Sequence, residues 1–326
     1  MFRSQLGRCN AMLSGSFALN FFQMCNKEVT GLDIFVSEGS NADQFTDYLE
    51  RSEGYGSDTE AETMIRSGVY SRTSQPNIKI RITRTPGSPI QTILTSSSTT
   101  AYINVIAWNK AYSIFPRQTL IKHKFFPLRS PDDDFGTELS ELSLQGWTAR
   151  DIIWPDHDKE KLHDVVGIRR IGDKSSLIIP LDTESLVTQS VPDHVIELSQ
   201  FEIPESSRNN QFGPLASQSS APMSTFLQIR AKNLSSPVLR YAYTTADTGW
   251  RGFVVERLQR WAWLELYKVK REDRPLQDQW SRPLVSDVSI TPDSELPQSW
   301  DYADDQMMAW YQLWERLNTK RTTAGG

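Results

Sequence analysis

The chain has 326 residues, enough for two domains of ordinary size. With 38% hydrophobic and 23% charged residues it does not have the makeup of a disordered, high-charge chain, and a formal net charge of −5 argues against broad binding along a nucleic-acid backbone. Only Cys9 and Cys25 occur, which excludes a disulfide framework or a zinc site made of cysteines and leaves two thiols expected in the reduced state.

The N terminus carries Arg3 and Arg8 but no apolar signal-peptide stretch, and no window approaches the roughly 18 apolar residues of a membrane span. A soluble intracellular protein, cytoplasmic or nuclear, is therefore expected. The segment Ser14 to Cys25 opens on small residues and continues through Phe17, Leu19, Phe21, Phe22 and Met24, which predicts a buried helix. A short strand is predicted over Leu32 to Val36. Asn41 then caps a predicted helix running to Arg51, with Phe45, Tyr48 and Leu49 on one face and Gly54 and Gly56 beyond its end. Ile78, Ile80 and Ile82 alternate with Lys79 and Arg81, the period of a half-buried strand, and Pro86 to Pro89 closes it as a turn. Further strands are predicted over Ala101 to Ala107 and Thr119 to Lys124.

The composition changes at Pro131 to Phe135, where Asp132, Asp133 and Asp134 read as a solvated loop. Residues 166–326 are predicted to form a smaller α+β domain after a linker at 131–165. Its first feature is a hairpin pairing Gly167 to Ile171 with Ser176 to Leu181 through the turn at Gly172, Asp173 and Lys174. A Ser-rich insertion at 205–224 has few apolar residues to offset its ordering entropy and is expected to be mobile. Two long helices are predicted near the end. The first is Trp250 to Arg271, with Phe253, Val254, Leu258, Trp261, Leu264 and Val269 inward. The second is Tyr302 to Leu317, with Met307, Trp310, Tyr311 and Trp314.

One constellation points to chemistry. Nucleotidyl transfer calls for a glycine–serine turn that lets backbone and hydroxyl approach a triphosphate, then two carboxylates at i and i+2 on one strand face to hold magnesium. Gly15 and Ser16 supply the turn. Asp33 supplies the second carboxylate, and Gly31 stands at the position of the first. No Walker loop, nucleophile elbow or dinucleotide fingerprint is present. His157 and His163 lack the i, i+4 spacing of a helical zinc pair. Arg240, Arg257 and Arg260 could form a phosphate-facing patch, and the tryptophans fit core packing at helical spacing better than base stacking.

The ordered segments SGSFALNFFQM, LDIFV, IKIRIT, SPIQTIL, TTAYINVIAWNKAYSIFP and TLIKHKFFPL, continuing through IPLDT, SPVLRY, VERLQRWAWLEL and SWDYADDQ, resemble a family of uncharacterised fungal proteins with nucleotidyltransferase-like cores. The resemblance spans nearly the whole chain. It implies a nucleotidyltransferase-like N-terminal domain at 1–130 with a mixed sheet, within an overall α+β fold. Gly15 and Ser16 would then bind a nucleoside triphosphate and Asp33 a metal, with Mg2+ as the cofactor of an active enzyme. Relatives often carry Asp-Leu-Asp where this chain has Gly31-Leu32-Asp33, and the later strand offers Lys79 and Arg81 where a third acid would face the site. The expectation is a nucleotidyltransferase fold with a degenerate metal site, serving as a binding or interaction module. An active minimal transferase acting on a protein, small molecule or RNA end, and a scaffold using the C-terminal aromatic helices, are the alternatives. Asp33 is either a ligand of metal or nucleotide or a carboxylate hydrogen-bonded within a degenerate core.

Overall fold

The computed structural model describes residues 2–24, 30–58, 67–130, 132–150, 165–184, 186, 191–204, 227–274 and 297–324. The expected Ser-rich insertion at 205–224, Cys25, His157 and His163 lie outside them.

The architecture is α+β around one large mixed sheet. Helix α1 (Phe2–Arg8) leads into strand β1 (Met12–Ser14), helix α2 (Gly15–Gln23), strand β2 (Gly31–Ser37) and helix α3 (Ser40–Arg51). Strands β3 (Gly56–Ser57), β4 (Ser67–Arg72) and β5 (Gln75–Thr85) follow, then helix α4 (Pro89–Ser96) and strands β6 (Asn104–Ile106) and β7 (Lys110–Ser113). Next come β8 (Lys124–Phe125), α5 (Asp133–Leu144), β9 (Thr148–Ala149), β10 (Gly167–Arg170), β11 (Leu177–Pro180), α6 (Asp193–Glu197) and β12 (Gln200–Ile203). The chain closes with β13 (Lys232–Leu234), β14 (Tyr243–Thr245), α7 (Thr248–Leu266) and α8 (Asp304–Ala324). Among the described residues no helix is long and apolar enough to cross a membrane.

Eight strands form the main sheet in the order β11-β7-β6-β1-β2-β5-β4-β3. β2 and β5 run parallel while the other neighbours are antiparallel. Alternation along the central strands decides what each face does. Leu13, Ile34, Val36, Ile80 and Ile82 point to one face and pack with Leu6 of α1 and Ala42, Phe45 and Leu49 of α3. Phe45 and Leu49 stand one helical turn apart and are wholly buried, each contributing about 1.5–3 kcal/mol of apolar transfer. The opposite face carries Met12 and Phe35 into a second core with Ile90, Ile93 and Leu94 of α4. Near the start of β2 that face instead presents Gly31, Asp33, Lys79 and Arg81, and the surface opens into a cleft.

Several expected elements differ. The helix expected to be capped by Asn41 begins at Ser40, with Gly39 at the cap in a left-handed conformation (φ 99°) and no side-chain cap. Pro89, expected to close a turn, occupies the first turn of α4, where its missing N–H costs nothing. The predicted strand at 101–107 shortens to β6 because Thr100–Tyr102 winds into a 3-10 turn. The predicted strand at 119–124 is a π-helical turn over Arg117–Ile121, with the Lys122 amide donating to the Arg117 carbonyl. Ile121 is accordingly exposed, as strand alternation would not allow.

The predicted hairpin at 167–181 does not close. The turn exists, with the Asp173 amide bonded to the Arg170 carbonyl, but β10 pairs with β12 and β11 pairs with β7 at the edge of the main sheet. Asp132 is a helix cap: its side chain accepts from the Phe135 amide and starts α5 inside the segment expected as a linker. On α7 the buried stripe is Trp250, Val254, Leu258, Ala262 and Leu266, repeating every fourth residue. Leu264, expected inward, is exposed for that reason.

Candidate functional site

The cleft measures about 1300 Å³ and brings together all three residues singled out in the sequence, Gly15, Ser16 and Asp33. Strand register explains the convergence. Ser14, the last residue of β1, pairs with Asp33 on β2, and Asp33 pairs with Arg81 on β5. The chain must leave β1 and enter α2 within one residue, and Gly15 does so at φ 75°. A β-carbon there would stand 2.5 Å from Asp33 Oδ2, so the close approach of turn and carboxylate requires glycine. Ser14 precedes the helix without capping it, since its hydroxyl donates instead to the Asn104 carbonyl at 2.8 Å. The amides of the first turn of α2 therefore stand at the cleft beside Asp33 with no side-chain cap.

Arg81 Nη1 lies 3.3 Å from Asp33 Oδ1. Burial raises the Asp33 pKa, and the Arg81 charge acts against that rise. Lys79 lies two residues earlier on the same strand face and also lines the cleft. The expectation that cations stand on this strand beside Asp33 thus has a defined geometry.

Other residues lining the cleft are not among those the motif singles out. Glu138 and Glu141 project from α5, one turn apart, with Arg129 3.9 Å from Glu138 Oε1 and 3.4 Å from Asp132. Tyr102 also lines the cleft, its hydroxyl pKa pushed up to about 12 by burial and by the charges of Glu138, Glu141 and Asp33. Asp58 lines the cleft from the loop after β3 and accepts from the Ser71 hydroxyl at 3.2 Å. A usable signal for α5 was present: Phe135, Leu139 and Leu142 recur at helical spacing behind a cap-competent Asp132. The aspartate run obscured it.

The arginines proposed as a phosphate patch lie elsewhere. Arg257 folds back on the Phe253 ring and carbonyl, Arg260 pairs with Glu256, and Arg240 covers the Tyr302 ring. Trp250 meets Tyr311 and Trp314, and Trp261 meets Trp310, so these aromatic side chains hold α7 and α8 together.

The donor set can be tested against magnesium. An octahedral Mg2+ site takes oxygen ligands at about 2.0–2.1 Å, usually with one or two carboxylates. Among the described residues no three His, Cys, Asp or Glu side chains gather to hold a metal. The position two residues before Asp33 is Gly31, and Asp33 is paired with the Arg81 guanidinium. A divalent ion there would meet cationic repulsion from Arg81. Among the described residues, Asp33 and its neighbours do not fit a two-carboxylate magnesium site.

No protein-family model and no curated protein matches the chain. Among solved structures it is similar to a tRNA-processing enzyme in an apo form, with 17% sequence identity and a TM-score of 0.30. The similarity covers 38% of this chain and 34% of that one, about a third of the enzyme's length.

Proposed function

We propose that this chain is a nucleotide-binding protein on a nucleotidyltransferase-like core with a degenerate metal site, acting as a binding or interaction module. One observation carries the reading. The Gly15 turn and Asp33 abut at the floor of an open polar cleft, as a triphosphate site requires, while Gly31 and Arg81 flank Asp33 where further acids would be needed. The first supports nucleotide binding and the second argues against turnover, because a single carboxylate paired to arginine cannot hold the ions that activate an attacking oxygen and stabilise a leaving pyrophosphate.

The alternative of an active minimal transferase makes a different prediction. Incubating the full chain with Mg2+ and each labelled nucleoside triphosphate, with protein, small-molecule and RNA acceptors, is expected to give no incorporation. Turnover that disappears in Asp33→Asn would overturn the binding-module reading and establish the transferase.

A further inference from the structure

We propose that the cleft takes the phosphates of a nucleoside triphosphate without a divalent metal, the Arg81 guanidinium supplying the positive charge. The inference rests on the nucleotide-binding reading above and specifies how the phosphates are held.

Asp33 and Arg81 are cross-strand neighbours on parallel strands, and the guanidinium covers the carboxylate at 3.3 Å. The side chain of Arg81 is 62% exposed and that of Asp33 30% exposed, so the cation stands on the open side of the pair with the acid beneath it. A guanidinium has five N–H donors in a planar fork. The contact with Asp33 engages one edge, and the remaining donors suit the paired oxygens of a phosphate. Lys79 adds a second cation from the same strand face, its backbone about 6.7 Å along the strand from that of Arg81. Two strand cations, Lys79 and Arg81, thereby line the cleft together with the carboxylates Asp33 and Asp58.

The opposite wall fixes the direction of binding. Glu138, with Arg129 3.9 Å away, and Glu141 leave this wall with a net negative charge that repels a polyphosphate, and they can accept hydrogen bonds from sugar hydroxyls or base amino groups. The phosphates therefore lie toward β2 and β5, with the nucleoside toward α5. A cleft of about 1300 Å³ has room for the whole molecule. Magnesium would offset two charges of the triphosphate, weakening its attraction to Arg81 and Lys79 while easing its repulsion from Asp33 and Asp58; metal-free binding therefore requires that the phosphates sit directly on the two strand cations.

Calorimetry on the full chain with ATP, GTP, CTP and UTP, in EDTA and in excess Mg2+, tests this. At least one nucleotide is expected to bind in EDTA as tightly as in Mg2+ or more tightly. Arg81→Gln is expected to weaken it about tenfold or more and Arg81→Lys by less. Thermal melts establish that each variant folds. Binding that requires Mg2+, or binding in EDTA that Arg81→Gln leaves intact, would overturn the inference while nucleotide binding stands. Absence of binding under both conditions would remove the nucleotide reading itself.

Discussion

At the residue scale the two glycines flanking the cleft act in opposite ways. Gly15 is held by backbone and by space, because its φ is 75° and an added methyl would press on the Asp33 carboxylate. Gly31 is held by neither: a β-carbon there would meet only the Lys79 carbonyl oxygen, at an ordinary 3.6 Å. Gly15→Ala is therefore expected to destabilise the protein by about 2 kcal/mol or more, combining left-handed strain with displacement of Asp33. Gly31→Asp should stay within about 1 kcal/mol of the parent, the span of strand propensities. Denaturant melts of both variants check the contrast. Equal losses would show that the tight contact at Gly15 contributes nothing. The tolerance of Gly31 also bears on the proposed chemistry, since a β-carbon two residues before Asp33 would meet no close obstacle.

At the element scale, Asp304 shows how a terminal helix is fastened. It is the first residue of α8 and is buried, with Oδ2 accepting from the Arg240 amide at 2.8 Å and Oδ1 from the Tyr243 hydroxyl at 3.1 Å. Burial raises its pKa, while these donors oppose the rise. Asp304→Ala leaves a backbone amide and a buried hydroxyl without their acceptor, an expected loss of about 2–3 kcal/mol, whereas Tyr243→Phe removes one bond and should cost about 1 kcal/mol. Equilibrium unfolding that ranks the two in reverse would sink this account. Elements with local periodicity were legible in the sequence: the isoleucine alternation of β5, the Phe45–Leu49 face of α3 and the outline of both long helices. The meeting of Gly15, Ser16 and Asp33 was legible as a motif, but its cause, the pairing of Ser14 with Asp33, is a tertiary register with no local signal. The same holds for Gly167 to Leu181, which has the turn chemistry of a hairpin. There the edge of β7 captures β11 and β12 captures β10, and long-range pairing prevails over the local turn. Helix α5, with its acidic contribution to the cleft, was hidden because three aspartates read as solvated loop when the first of them is a cap.

At the scale of the whole molecule, the two halves expected from composition share one sheet and one core. Strand β11 extends the sheet that contains β1 and β2. The apolar cluster holding Met12, Ile90 and Tyr112 also contains Ile171, Ile196, Phe201, Ile203 and Ile229. Polar ties cross the same divide: Lys110 Nζ lies 2.6 Å from Asp193 and 2.7 Å from Glu197, and Arg3 donates to the Asp182 carbonyl. Truncation after residue 165 would expose the β7 edge and strip that core of a set of fully buried side chains, each large-to-small loss of this kind costing about 2–5 kcal/mol. The total exceeds the roughly 5–15 kcal/mol by which a protein of this kind is stable. The 1–165 fragment is therefore expected to lose cooperative unfolding and bind a hydrophobic dye, and to lose the proposed nucleotide binding, although every residue lining the cleft lies within it. Full-length protein should retain a sharp transition over this region. A fragment that melts cooperatively and binds nucleotide with full-length affinity would instead establish residues 1–165 as a self-sufficient domain, with β11 an accessory to its sheet.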